Sequence, residues 1–155
     1  VNAGGDNDTG IDLATNDQIL LKVANATKLT MNSTGQTTIV GEGGTTTTNL
    51  QNGLAKAYAQ FTTVTSSSIR DSSNISSLGD LGTGETIFNL TNNMANVNYS
   101  VLGTAGRNTA SNPAECWVYT GNTTTAGGYQ IETMNTSDNY QDQDYAAHSV
   151  HGDLA

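Results

Sequence analysis

Basic residues are scarce in this chain: 5 Lys and Arg stand against 14 Asp and Glu, a formal charge of −9 over 155 residues. No Lys/Arg stripe exists to displace phosphate counterions, so nucleic acid is not an expected partner. The same shortage argues against an anionic membrane surface. No apolar run approaches the roughly 18 residues that a bilayer-spanning helix needs. The lone cysteine, Cys116, has no intrachain disulfide partner. Within Glu115-Cys116-Trp117-Val118-Tyr119 it reads as a small apolar side chain, since a nucleophilic role would need a positioned His148 or His151. Gly-x-Ser-x-Gly, P-loop and His-Glu-x-x-His motifs are all missing, so no catalytic residue is assigned and no cofactor is expected. The chain opens Val1-Asn2-Ala3 without Met or signal peptide, as expected of a processed form or a segment of a longer chain.

What is present is Ser, Thr, Asn and Gly, together 72 residues and nearly half the chain. Thr suits strands because its branched Cβ fits a pleated surface, while Gly and Asn suit the turns between them. Proline occurs once, and long runs with helical periodicity are lacking. Leu, Ile, Val and Phe total only 28 residues, a proportion often associated with disorder. The apolar residues alternate, however, which a disordered chain has no reason to maintain. An all-β protein short of core, completed against copies of itself, fits better.

Residues 41–53, Gly-Glu-Gly-Gly-Thr-Thr-Thr-Thr-Asn-Leu-Gln-Asn-Gly, read as a linker or long turn. They divide the chain into a β segment with linker over 1–48 and a β domain over 49–155. Before the divide, short apolar pieces alternate: Ile11 and Leu13; Ile19, Leu21 and Val23; Leu29 and Met31; then Ile39. Asn16-Asp17, Asn25 and Ser33-Thr34-Gly35 supply turns. Such short strands cannot enclose a core, so their apolar side chains demand outside contacts.

After the divide, Ala57, Ala59 and Phe61 share one face, as do Phe88 and Leu90. Val97, Tyr99 and Val101 alternate, Cys116 and Val118 oppose Trp117 and Tyr119, and Tyr129 and Ile131 oppose Gln130 and Glu132. A last strand is expected around Val150. Six or more strands separated by turn signals predict an antiparallel β-sandwich, jelly-roll-like.

Few clusters carry chemistry. His148 and His151 lie three apart, so on a strand they point to opposite faces and cannot chelate together within one chain. Asp138, Asp142 and Asp144 form an oxygen-rich run without the glycine and terminal Glu of an EF-hand. It reads as a solvated acidic loop, and no metal is assigned. Fourteen acids make a glycosidase-like carboxylate pair expected by chance. The same holds for Asn-x-Ser/Thr triplets such as Asn25-Ala26-Thr27.

From Leu54 onward the sequence resembles a known domain. The residues are Gly53-Leu54-Ala55-Lys56-Ala57-Tyr58-Ala59-Gln60-Phe61, Asp71-Ser72-Ser73-Asn74-Ile75-Ser76-Ser77, Gly82-Thr83-Gly84 before a strand, Asn98-Tyr99-Ser100-Val101, and a closing Gly152-Asp153. They are similar to the C-terminal domain of trimeric fibre proteins on the virions of tailed bacteriophages, particularly marine ones. The likeness covers residues 54–103 best and the tail weakly. It implies a homotrimer on the exterior of the particle: a short intertwined β shaft leading into a β-sandwich knob, attached to other virion proteins. Residues 11–40 would be shaft, with Ile19, Leu21, Val23, Leu29 and Met31 as its trimer core.

Three functions follow as expectations. The first is a tail-fibre-type structural protein whose distal knob contacts a host-surface glycan or protein. The second is a capsid decoration or head-fibre protein. The third is a secreted carbohydrate-binding module, which predicts a monomer with a solvent-facing aromatic platform. Loops on a rigid scaffold are where recognition usually sits. Tyr129 beside Gly127-Gly128, and Tyr140 in the Asp/Asn/Gln loop, are the first candidates for receptor contact. Trp117 and Tyr119, the largest aromatic pair close in sequence, are placed either there or at a subunit interface.

Overall fold

The computed structural model describes residues 9–13, 17–41, 44, 46–106, 114–119 (backbone only) and 124–155. The described chain is all-β apart from one 3-10 turn, and every strand pairing is antiparallel. It forms two compact units, Val1–Leu54 and Ala55–Ala155.

The N-terminal unit is a single five-stranded meander in chain order. Its strands are β1 (Gly10–Asp12), β2 (Gln18–Val23), β3 (Ala26–Asn32), β4 (Thr37–Val40) and β5 (Thr47–Asn49). The turn between β2 and β3 is Ala24-Asn25, both at positive φ (52 and 58). That handedness matches the right-handed twist of the flanking strands. After β3, the Asn32 Oδ1 accepts hydrogen bonds from Thr34 N, Thr34 Oγ1 and Gln36 N, which closes the loop through Gly35. The expected linker is partly structured: Thr47–Asn49 pairs with β4 and Gln51–Gly53 makes the 3-10 turn. β-branched Thr beside an open sheet edge joins it as a strand, an outcome the Gly-rich start of the stretch obscured.

The C-terminal unit has two four-stranded sheets. One runs β10 (Ser100–Ala105), β13 (Ala146–His151), β6 (Ala57–Thr62), β7 (Ser68–Ser73). The other runs β11 (Ala114–Tyr119), β12 (Gly128–Asn135), β9 (Glu85–Leu90), β8 (Ile75–Gly82). Both contribute to one core: Ala57, Ala59, Phe61, Ala146 and Val150 from the first, Phe88, Leu90, Tyr129 and Ile131 from the second, with Met94. The rings of Phe61 and Phe88 meet edge-on, centroids 4.9 Å apart. Small Ala57, Ala59 and Ala146 leave room for these aromatics, the interdigitation a dense core needs.

Sequence neighbours β6–β7, β8–β9 and β11–β12 lie side by side in one sheet, and the unit's other connections pass between the two sheets. Tight turns join the neighbours within a sheet. Between β8 and β9, Gly84 sits at φ +71, and a Cβ there would lie 2.4 Å from the Thr133 carbonyl oxygen. Its own carbonyl accepts from Thr133 N, and its N–H donates to Asp142 Oδ1 at 2.8 Å. Only glycine meets both demands.

Asn74, at φ 59, turns the chain from β7 into β8. Its Nδ2 donates to the carbonyls of Lys56 and Asn92, and its Oδ1 accepts from Asn92 N. The strand expected from Val97 begins only at Ser100. Val97 is exposed, and Asn98 N donates to Asn96 Oδ1, a local turn that competes with the ladder.

Candidate functional site

Tyr129 does not contact solvent. It lies within β12, fully buried, with its ring stacked on Phe88 and its hydroxyl 2.5 Å from His148 Nε2. The expectation of receptor contact at Tyr129 is therefore corrected. The flanking Gly127-Gly128 suggested a loop, but Gly128 opens the strand, passing so close to β9 that a Cβ would lie 2.5 Å from the Phe88 carbonyl oxygen.

His148 completes this cluster, its imidazole edge-on to Phe61, Phe88 and Tyr129. Burial lowers its pKa from 6.5 to about 4, because an imidazolium would lose its hydration there. Burial, with a smaller contribution from Tyr99, raises that of Tyr129. Both groups are neutral near pH 7 and form a polar link inside an aromatic core. His148 and His151 face opposite sides, buried and half-buried, as their spacing requires. Among the described residues, no three His, Cys, Asp or Glu side chains are grouped to hold a metal ion.

The acidic run is tied into the scaffold rather than converging on a cation. Asp142 holds the Gly84 turn, Asp144 pairs with Arg70 at 2.8 Å on the surface, and Asp138 turns the backbone at φ 58. Tyr140, 46% exposed, forms a bridge with Met134 at the end of this loop and remains open to solvent. Trp117 and Tyr119 lie on β11, paired with Glu132 and Gln130 through the backbone. Their side chains lie outside the described residues.

Two surfaces stand out instead. On the N-terminal sheet, register places Ile11, Leu21, Leu29 and Ile39 side by side across four strands. Ile19 and Met31 form the adjacent row. Asp12, Leu20, Thr30 and Thr38 form a row on the other face, together with Lys22, whose Nζ pairs with Asp12. None of the unit's described residues is fully buried; Ile19, Leu21, Val23 and Met31 are 39–51% exposed. An open depression of about 370 Å³, lined by Leu13, Asp17, Gln18, Ile19, Met31 and Asn32, continues the apolar face at one end. A sheet with one apolar face needs a second layer. This surface brings together the five residues singled out from the sequence, except that Leu29 is only half exposed.

The second surface is the outer face of the β10-β13-β6-β7 sheet. Tyr58 (42% exposed) stands there between Ser149 and Ser73, with Leu102 beyond Ser149. Gln60, Ala147 and Thr104 form the next row, and Tyr145 (40% exposed) follows at the start of β13. The signal for Tyr58 was available in the sequence, since it alternates with inward Ala57 and Ala59. No helix among the described residues is long and apolar enough to cross a membrane. Comparison with protein-family models, with curated proteins and with solved structures returns no match to this chain.

Proposed function

We propose that this chain is a non-enzymatic structural protein on the exterior of a virus particle, a homotrimeric tail-fibre-type protein with a distal knob for host attachment. The observation that carries this reading is the exposed apolar face of the N-terminal sheet. Three such sheets around one axis form the sides of a prism, with Ile11, Ile19, Leu21, Leu29, Met31 and Ile39 turned inward. The opposite face, with its Asp12–Lys22 pair, its threonines and a single half-buried Leu20 in their row, then meets water. A closed three-fold arrangement gives each sheet its missing layer and buries apolar area that no single copy covers.

The C-terminal unit is the sandwich knob in this reading. The likeness to phage fibre domains rests on segments whose residues have structural duties here: Asn74 at its left-handed turn and Gly84 against Thr133. Immunogold labelling of intact particles with antibody to the C-terminal unit tests the assignment. Label on fibres projecting from the tail is expected. Label over the head surface transfers the chain to capsid decoration, and purified particles without label overturn the virion assignment.

A further inference from the structure

The outer face of the β10-β13-β6-β7 sheet combines aromatic and neutral polar groups in a way the core does not require. Tyr58 on β6 pairs in register with Ser149 on β13, and Tyr145 lies four residues before Ser149 on that neighbouring strand. At strand spacing the two tyrosines are therefore about 14 Å apart along one flat face. Between and beside them lie Gln60, Ala147 and Ser149, uncharged groups that can donate and accept hydrogen bonds or leave room.

Tyr145 is backed by glycine. The Gly106 N–H donates to the Tyr145 carbonyl, and a Cβ at Gly106 would lie 3.2 Å from Tyr145 Cδ1. The missing side chain lets the ring lie close over the neighbouring strand while keeping 40% of the residue in solvent. Charge is sparse on this face. Asp71 stands at the β7 edge beside Gln60, His151 lies at the other end, and Arg70 is paired with Asp144.

We propose that this face is a binding platform for a neutral oligosaccharide, stacked on Tyr58 and Tyr145 and hydrogen-bonded by Gln60 and Ser149. The proposal rests on the reading of the C-terminal unit as an attachment knob and names what it attaches to. Pyranose rings present C–H faces to aromatic rings and hydroxyls to amides and alcohols, and that is the chemistry laid out here. Two tyrosines this far apart span more than one sugar ring, so the ligand is an oligomer. A chain of net charge −9 repels uronic, sialic or phosphorylated glycans. Leu102 is the one large aliphatic side chain in the Tyr58 row, too little for the apolar centre of a protein interface.

The test titrates the assembled full-length protein with neutral gluco-, galacto- and N-acetylglucosamine oligosaccharides of increasing length by calorimetry. Binding should strengthen with length until both tyrosines are engaged. Tyr58→Ala and Tyr145→Ala should each weaken it about tenfold, the loss of one stacked face, with unchanged melting. Tyr58→Phe, which keeps the ring, should retain most affinity. The proposal fails if no neutral oligosaccharide binds a folded trimer, or if both alanine variants bind like the parent. It also fails if Tyr58→Ala dissociates the trimer, since the face is then a subunit contact; in each of these cases the fibre assignment survives. Tyrosine-dependent binding by a monomer absent from particles would instead uphold the platform and overturn the fibre.

Discussion

Leu21→Asp is expected to abolish assembly while leaving the C-terminal unit folded. Leu21 lies at the middle of the apolar face, paired with Ile11 on one side and Leu29 on the other. In the proposed trimer, the substitution brings three carboxylates together in a dry interior with no cation opposite them. An ionised group buried without a partner costs several kcal/mol, and the three like charges add mutual repulsion. The matched control is Lys22→Asp on the opposite face, which breaks the partly exposed pair with Asp12 and sets two carboxylates near each other within reach of solvent, a cost on the order of 1 kcal/mol. Sedimentation of both variants is the measurement. Loss of the oligomer in Leu21→Asp alone is expected; an oligomer with unchanged melting would show that the apolar face is turned elsewhere.

Mild acid should destabilise the C-terminal unit through His148. Its folded pKa, about 4, lies below the ordinary 6.5. Between those values the unfolded chain takes up a proton that the folded chain refuses, so stability falls as pH drops from 6.5 to 4. The total loss is about 3 kcal/mol, and this group contributes no further change below pH 4. Protonation would also place a charge on the imidazole that shares a hydrogen bond with the Tyr129 hydroxyl, in a site enclosed by Phe61 and Phe88. Denaturant unfolding at a series of pH values follows this directly. A His148→Gln variant should flatten that part of the profile, and a variant as acid-sensitive as the parent would show that other groups govern it.

Much of the fold was legible because alternation reports burial wherever one face of a strand is covered. Ala57, Ala59 and Phe61 were placed together on one face, and Phe88 and Leu90 on another, and all are buried. The rule failed on β12, where Gln130 and Glu132 are buried along with Tyr129 and Ile131. Gln130 is satisfied there by Glu85, 3.1 Å away. A polar side chain with a buried partner looks, in sequence, like one facing water. Tyr129 was misplaced for a related reason: adjacent glycines signal a loop, whereas here Gly128 allows β12 to approach β9 closely.

Ile19, Leu21, Leu29 and Met31 share one face of the N-terminal sheet, because period-two alternation survives even without a core to bury it. Its register across strands was not legible. The two-residue turn at Ala24-Asn25 and the irregularity between Leu21 and Lys22 fix it, and neither has a strong residue signature. Tyr58 and Tyr145 are far apart in sequence, and only the pairing of β6 with β13 brings them onto one face.

The mass of the assembled protein tests the central claim most directly. Native mass spectrometry of the full chain should give a single species of three copies of the 16.1 kDa subunit, persisting on dilution. A folded monomer, stable with its N-terminal sheet exposed, would contradict the account.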